Sequence, residues 1–389
     1  MYAIKAARLF DGGSAVPLGP VTVLVHDGRI VDAGDRVPIP DGTQVTDLGS
    51  ATLLPGLVDA HIHLTFDATL DAVGRFARVD DEELLTGARQ AARRALLAGV
   101  TTVRDLGDRG YVTLKLRDEL AGDPSGGAQI LAAGPPITTP RGHCWFLGGE
   151  TSGVAGVRAA VRERADRGAD VVKVMATGGE LTAGTKPYLA QFGLEELRAV
   201  VDEAAAVGLP VTAHAHGAPG IAQAAAAGIG SVEHCSFLTE TGAELDPVVL
   251  DALLAAGTVV SATLGHLPGL PVPPRIQALI PQLSAVFQQI RAAGVPVVCS
   301  SDAGIGPAKP HDCLPYGLVE MVELLGYTPA QALRSATSAA ADLCRVGDRK
   351  GRVAAGFVAD FLAVAGDPFT DITAVHAVVA VFRAGVRVR

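Results

Sequence analysis

From about residue 57 onward, short apolar segments that are typical of buried strands alternate with longer segments of helical character. Eight strand segments are predicted: Leu57–His61, Thr101–Asp105, Gln129–Ala133, Asp170–Met175, Pro210–His214, Ser231–His234, Val259–Thr263 and Val295–Ser301. The predicted helices between them include Asp81–Leu97, Gly156–Asp166, Leu194–Val207, Ile221–Ala227, Pro247–Ala256 and Ile276–Ala293. Several of these helices are followed by glycine, which is the residue favoured just past a helix C terminus.

This alternation predicts an α/β fold, and eight β/α units favour a (β/α)8 TIM barrel, in which the functional groups lie at the carboxyl ends of the strands. The alternative is a doubly wound open sheet, which is disfavoured because no Gly-x-Gly-x-x-Gly loop follows the first strand. The composition agrees with a parallel sheet. Hydrophobic residues make up 49% of the chain and aromatic residues only 4%, so the interior must be built from Ala, Val, Leu and Ile.

Both ends of the chain consist of shorter strand-like runs separated by turn residues. The N-terminal runs are Ala3–Leu9, Val21–Val25, Arg29–Asp32 and Gln44–Asp47. After two helical segments, Leu314–Leu325 and Pro329–Leu343, strand-like runs return at Asp360–Val364 and Val378–Phe382. We expect the two ends to pair into one small β-sandwich domain. The expected division is residues 1–53 and 346–389 for that domain and residues 54–345 for a catalytic barrel.

The charge and the termini favour some classes of protein over others. A net charge of −9, with the basic residues scattered, opposes a nucleic-acid partner. Neither a signal peptide nor an apolar run of about 18 residues is visible, so we expect a cytoplasmic protein with no membrane partner. A homo-oligomer stays an open alternative. The five cysteines, Cys144, Cys235, Cys299, Cys313 and Cys344, show neither a disulfide framework nor a Cys-x-x-Cys pair.

Polar side chains occur at the carboxyl ends of the predicted strands. His61 and His63 lie two residues apart on the first strand, so their side chains point to the same side. Further candidates end the fourth, fifth, sixth and eighth strands: Lys173, His214, His234 and Asp302. Because histidine nitrogens and carboxylate oxygens suit zinc or a similar divalent ion, the sequence predicts a metal site at this end of the barrel.

Lys173 lies within the apolar segment DVVKVMATGG, where an unpaired ammonium group is costly. A protonated lysine cannot bind a metal ion. Reaction of the neutral amine with carbon dioxide would give a carbamate, whose two oxygens can bridge two cations. The alternative is a lysine that pairs with an acid or reaches the rim of the barrel.

The chain resembles the amidohydrolase superfamily, specifically its prolidase-like and imidazolonepropionase-like branch of metal-dependent hydrolases. The resemblance covers essentially the whole chain and is carried by RLFDGG, VHDGRIVDAG, PGLVDAHIHL, VVKVMATGG, QFGLEELRAVVDEA, VTAHAHG, SVEHCSF, SSDAG and GRVAAGFVADFLAVAGDP. It implies two divalent ions, with zinc as the expected metal. It also implies their ligands: His61, His63 and Asp302 for one ion, His214 and His234 for the other, and carboxylated Lys173 between them.

The same resemblance implies attack by a hydroxide shared between the two ions, with Asp302 passing the proton to the leaving amine. His216 and His143 are further catalytic candidates, as donors to the developing oxyanion or as part of a loop over the site; His216 could instead support a ligand. Four residues on loops at the same face are candidates for the substrate pocket: Arg141, Tyr188, Gln191 and His266. His26, His311 and His376 are interpreted as surface or packing residues.

The leading function is hydrolysis of an amide C–N bond in a dipeptide of the Xaa-Pro kind or in an N-acyl amino acid. The alternatives are hydrolysis of a cyclic amide, deamination of a heterocycle and processing of a peptide precursor. Deamination is disfavoured because the segment HAHGAPG lacks the glutamate that related deaminases place there. A non-catalytic scaffold is disfavoured because all six ligand positions are filled.

Overall fold

Six short strands occupy the beginning of the chain, which the computed structural model describes in full, from residue 1 to residue 389. They are β1 (Tyr2–Ala6), β2 (Arg8–Leu9), β3 (Val21–His26), β4 (Arg29–Gly34), β5 (Gln44–Asp47) and β6 (Thr52–Pro55). Asp27 and Gly28 connect β3 to β4 and both have positive φ, at 48° and 72°. Such a two-residue connection matches the right-handed twist of paired strands.

Eight parallel strands follow and correspond closely to the predicted ones. They are β7 (Leu57–Ile62), β8 (Val100–Asp105), β9 (Gln129–Ala132), β10 (Val172–Met175), β11 (Val211–Ala215), β12 (Ser231–His234), β13 (Val259–Thr263) and β14 (Val297–Ser300). β7 to β9 form one sheet and β10 to β14 another, each in sequence order. Single parallel bridges join the two sheets on both sides, between Ile137 and Val174 and between Ile62 and Ala303. All eight carboxyl ends therefore lie on one side.

Eleven α-helices accompany these strands, and none is both long and apolar enough to cross a membrane. They are α1 (Ala72–Arg78), α2 (Asp81–Leu97), α3 (Val112–Glu119), α4 (Gly153–Asp166), α5 (Leu194–Ala206), α6 (Ala218–Ala227), α7 (Pro247–Ala256), α8 (Pro274–Ala292), α9 (Leu314–Glu323), α10 (Pro329–Ser335) and α11 (Ser338–Leu343). In α2, the Asp80 side chain caps the N terminus by accepting a hydrogen bond from the N–H of Glu83. Leu84, Ala88 and Ala95 of the same helix are buried, as expected for one apolar face.

The predicted helix Pro329–Leu343 is wrong as a single element, because the chain forms α10 and α11 with a break between them. Thr337 has φ −130° and ψ −99°, far from helical values. The break frees the carbonyl of Ala336, which accepts a hydrogen bond from the N–H of Val58 at 2.8 Å. The interruption therefore places a backbone acceptor beside β7, the strand that carries the first two predicted metal ligands.

The C-terminal strands β15 (Phe361–Val364), β16 (Val378–Arg383) and β17 (Val386–Arg387) join the N-terminal strands in a sheet of order β17-β16-β15-β6-β2. The remaining N-terminal strands form a second sheet of order β4-β3-β1-β5. One buried cluster includes Ile4, Val23, Phe361 and Phe382 and thus draws on both ends of the chain. Since only Gly56 separates β6 from β7, this pairing fixes the start of the strand that leads to His61.

Candidate metal centre

His61, His63 and Asp302 bring three potential ligand atoms together at the carboxyl ends of β7 and β14. The Nε2 atoms of the two histidines lie 3.3 Å apart, and each lies 3.3 Å from Oδ1 of Asp302. The backbone N–H of Asp302 donates to the carbonyl of His61 at 2.7 Å, which ties the end of β14 to β7. Two nitrogens and a carboxylate oxygen converging in this way form a donor set suited to one divalent ion.

A second cluster consists of His214, His216 and His234, whose ligand atoms lie within 4.8 Å of one another. His214 belongs to β11 and His234 ends β12, and the parallel register pairs Ala215 with His234. The ring centroids of His61 and His234 are 5.1 Å apart, so the two clusters adjoin. The structure thus brings together the two histidines predicted for a second ion and adds His216, predicted as a catalytic donor, at ligand distance.

Each of the five histidines has one ring nitrogen engaged by a protein atom. The pairs are His61 Nδ1 with Glu233 Oε2 at 2.9 Å, His63 Nδ1 with the Gly107 carbonyl at 3.2 Å, His214 Nε2 with the Gly178 carbonyl at 3.0 Å, His216 Nδ1 with Ser236 Oγ at 2.7 Å and His234 Nδ1 with Thr263 Oγ1 at 2.9 Å. Because a metal-binding histidine usually donates its other N–H to an oxygen, the remaining nitrogen of His61, His63, His214 and His234 is left for a cation.

Lys173 lies on β10 with its side chain buried, and its Nζ has no hydrogen-bond partner. Burial lowers the pKa of this amine to about 8, although Glu233 and Asp302 act in the opposite direction. A buried amine without a partner is costly, and a lowered pKa increases the neutral fraction that can react with carbon dioxide. The surroundings of Lys173 therefore fit an amine that can react with carbon dioxide.

Burial also determines the protonation of four of the five histidines. For His63, burial is outweighed by Asp302 and the pKa is raised. Burial lowers the pKa of His61 and His216 to about 4 and brings the pKa of His214 and His234 well below 6.5. These rings are therefore neutral near pH 7, which is the state that binds metal ions. Burial alone would raise the pKa of Asp302, but the nearby histidines outweigh it and hold that pKa below its ordinary value.

Two ligand candidates have strained backbones, since His234 has φ 65° and Asp302 has φ 55°. Cys235, next to His234, has φ 50°. Left-handed conformations are uncommon for residues other than glycine and cost free energy that the surrounding fold must offset. Their occurrence at two strand ends beside the histidine clusters is typical of a functional site.

His143 lies buried on the loop after β9, and its ring centroid is 4.5 Å from that of His214. Its backbone N–H donates to Oε1 of Gln191 at 2.6 Å, and the Gln191 amide donates to the Met175 carbonyl at 2.9 Å. Gln191, predicted to line the substrate pocket, thus connects the His143 loop to the end of β10.

The other predicted substrate residues each contact an acidic side chain. Arg141 is exposed, and its backbone N–H donates to Glu150 at 2.6 Å. The Tyr188 hydroxyl is 3.4 Å from Oε1 of Glu240, and Nδ1 of His266 is 3.1 Å from Oε1 of Glu320.

Sequence reasoning missed several buried charged residues beside the clusters. Glu233 and Arg104 form an ion pair at 3.0 Å behind His61. Nζ of Lys309 donates to the carbonyls of Thr263, Leu264 and Ser301 at 3.3, 3.1 and 2.6 Å. Arg104 and Glu233 are charged residues inside apolar segments, a signal that was interpreted for Lys173 alone. Lys309, in the segment GPAKPHD, carries no such signal. His311, interpreted as a packing residue, is buried with Nε2 3.1 Å from the His63 carbonyl.

Comparison with known proteins shows which proteins this chain is similar to. Residues 52–388 match the Amidohydrolase family. Ochratoxinase from Aspergillus niger is 31% identical over 401 residues, covering 94% of this chain and 82% of that protein. Imidazolonepropionase from Salinispora tropica is 27% identical and covers 89% of this chain and 86% of that protein. A crystal structure of a Xaa-Pro dipeptidase with bound methionine in the active site has a TM-score of 0.86, 29% identity and 99% coverage of both chains.

These similarities confirm the resemblance predicted from the motifs, and they support a hydrolase that acts on amide or peptide bonds. The match extends from the strand before the first two histidines to the end of the C-terminal sheet, so it includes every candidate ligand. The chain belongs to the amidohydrolase family.

Proposed function

We propose that this chain is a binuclear metal-dependent amidohydrolase that cleaves the amide C–N bond of a dipeptide, of the Xaa-Pro kind, or of an N-acyl amino acid. The observation that supports it most is the convergence of His61, His63 and Asp302 to 3.3 Å beside a second histidine cluster. A partnerless buried lysine completes the set needed for two ions.

In the proposed centre, zinc is the expected metal because the donors are mainly imidazoles. One ion would be held by His61, His63 and Asp302, and the other by His214 and His234, with carboxylated Lys173 between them. Two divalent ions supply a Lewis acid for the amide carbonyl and lower the pKa of water, so that a nucleophile is available near neutral pH.

The protein residues would move protons and stabilise charge. Asp302 is kept ionised by the neighbouring histidines, so it can accept a proton from the attacking water and pass it to the leaving amine. His216 has Nδ1 fixed by Ser236, which leaves Nε2 to donate a hydrogen bond to the developing oxyanion. His143, packed beside His214, would close this side of the site.

The substrate class rests on the Xaa-Pro dipeptidase with similarity over 99% of both chains. Such a substrate carries a free carboxylate, for which Arg141 at the rim is the proposed partner, with Tyr188 and His266 on neighbouring loops. The small-molecule or short-peptide substrate is the only partner that we propose.

For the scaffold, we propose that the two parallel sheets close into one (β/α)8 barrel through the bridges at Ile62 and Ile137. We also propose that the terminal segments, residues 1–53 and 346–389, form a β-sandwich around their common buried cluster. Residues 54–345 would then form the catalytic domain.

The test is a substrate screen with zinc-loaded protein in bicarbonate buffer. Xaa-Pro dipeptides and N-acyl amino acids are compared with cyclic amides and amino-substituted heterocycles, with released amine or ammonia as the readout. We expect turnover of the first group, and expect chelator-treated protein to be inactive. The similarity to imidazolonepropionase suggests a cyclic amide as the alternative substrate. Turnover confined to a cyclic amide would change the proposed substrate class accordingly. No hydrolysis by protein that contains two ions would refute the proposal.

A further inference from the structure

We propose that Glu233 and Arg104 form a buried positioning pair that fixes His61 as the tautomer with its proton on Nδ1, so that Nε2 faces the metal as a free ligand. The inference rests on the proposed metal centre, because it assigns a role toward that centre. It concerns two residues that contact neither the substrate nor the ions.

The carboxylate of Glu233 lies between the histidine and the arginine. Oε2 of Glu233 lies 2.9 Å from Nδ1 of His61 in an ion-pair contact. Neither atom forms a hydrogen bond of good angular geometry with any protein atom, so each is the nearest polar group that can satisfy the other. Oε1 of the same carboxylate is 3.0 Å from Nη2 of Arg104. All three side chains are at most 3% exposed. Because these side chains are buried, the acceptor that faces Nδ1 of His61 is this carboxylate.

Arg104 holds the histidine through the backbone as well. Its Nε donates to the carbonyl of Ala60 at 2.7 Å, and Ala60 immediately precedes His61 on β7. One guanidinium group therefore fixes both the strand that carries the ring and the carboxylate that orients the ring. In the other tautomer, with the proton on Nε2, His61 would present an N–H group to the ion instead of a lone pair.

The hydrogen-bond donors around Oε1 of Glu233 determine how a glutamine amide at this position would be oriented. Arg104 and the hydroxyl of Thr212 both donate to Oε1 of Glu233. In a Glu233→Gln variant, the amide oxygen must stay at this position, because an amide NH2 group there would face two donors. The NH2 group of the new glutamine would then face Nδ1 of His61. We expect the ring to respond by moving its proton to Nε2, the atom that faces the proposed ion.

The first experiment measures the tautomer without metal or substrate. Metal-free protein labelled with 15N-histidine is studied by long-range 1H–15N correlation spectroscopy, with the His61 signals identified from a His61→Asn variant. We expect Nδ1–H in the natural protein and Nε2–H after Glu233→Gln. Unchanged Nδ1–H in the variant, or Nε2–H in the natural protein, would overturn the inference.

The second experiment measures metal affinity by competition with a chromogenic chelator. We expect Glu233→Gln to weaken zinc binding by about 10–100-fold, as for other residues that orient a ligand. The matched control is Glu203→Gln. The Glu203 carboxylate on α5 pairs with Arg158 and Arg162 on α4, and the control variant should bind zinc normally. If the natural protein bound no zinc, the proposed function would fail while the tautomer result would stand separately.

Leaving Arg104 buried beside a neutral glutamine risks misfolding, because an unpaired buried charge is strongly destabilising. An Arg104→Met/Glu233→Gln double variant removes both charges and keeps Thr212 as a donor to the amide oxygen. We expect it to fold, to show the Nε2–H tautomer of His61 and to bind zinc weakly. Normal zinc affinity in this folded variant would contradict the positioning role.

Discussion

The ring of His216 stacks on that of His234, with centroids 4.4 Å apart and an angle of 18° between the rings. The Ser236 hydroxyl lies 2.7 Å from Nδ1 of His216. Stacking thus limits tilting of the ring, and the contact at Nδ1 limits its rotation within its own plane. A preorganised donor stabilises charge without having to rearrange during the reaction. The contact therefore favours a role for His216 that depends on orientation.

Replacing His216 by Asn should lower kcat by about 10²–10³-fold while both ions stay bound, because one donor to the oxyanion is lost. Kinetics and metal analysis on the same preparation check this. His26→Asn, an exposed position on β3, is the control and should be neutral. Loss of one ion per chain would show instead that His216 is a ligand.

Lys173→Ala should remove bound metal and activity together, with metal affinity reduced by more than about 100-fold, because the bridging carbamate cannot form. Adding acetate or propionate should restore part of both, since a small carboxylate can occupy the space of the carbamate. The control, Lys186→Ala, changes an exposed lysine on the loop after β10. Full activity of Lys173→Ala would rule out the bridging role.

Asp302→Asn should keep most of the bound metal but lower kcat by about 10²–10⁴-fold, because the amide cannot shuttle the proton. Asparagine tolerates the left-handed backbone at this position, where φ is 55°, so the strand end should keep its conformation. Single-turnover kinetics on zinc-loaded protein provide the measurement. Turnover close to that of the natural protein would assign the shuttle to another group.

The metal-free protein should lose stability as the pH falls from 6.5 toward 4. Burial lowers the pKa of His61 and His216 from 6.5 to about 4 and that of His143 to about 3, so the unfolded chain binds more protons in this range. The free energy of unfolding then decreases by up to about 1.4 kcal/mol per pH unit for each group. Urea titrations between pH 7 and pH 5 should show a falling midpoint. A constant or rising midpoint would contradict the neutral, buried state of these rings.

Much of the strand pattern was predictable because buried parallel strands are short apolar runs with turn residues at their ends. The bounds of Ser231–His234, Val259–Thr263 and helix Pro247–Ala256 agree with the structure to the residue. Helices Ala72–Arg78 and Val112–Glu119 were not predicted, because at 7 and 8 residues they are too short to show a clear helical repeat of apolar residues.

The arrangement of the candidate ligands also followed from the sequence, because parallel strands bring their carboxyl ends to one side. The pairing of Glu233 with Arg104 did not follow. These residues belong to separate strands, β12 and β8, and their contact depends on which side chains meet behind the histidines. The grouping of His216 with His214 and His234 likewise depends on ring orientation, which spacing alone does not specify.

β6, which leads directly into the first histidine strand, is hydrogen-bonded on one side to β2 and on the other to β15. During synthesis, β15 follows β6 only after all eight parallel strands have been made. The strand that leads into His61 therefore lacks one of its two neighbours while the histidine-bearing strands emerge from the ribosome. The proposed metal site should consequently take up its ions only after β15 has joined β6.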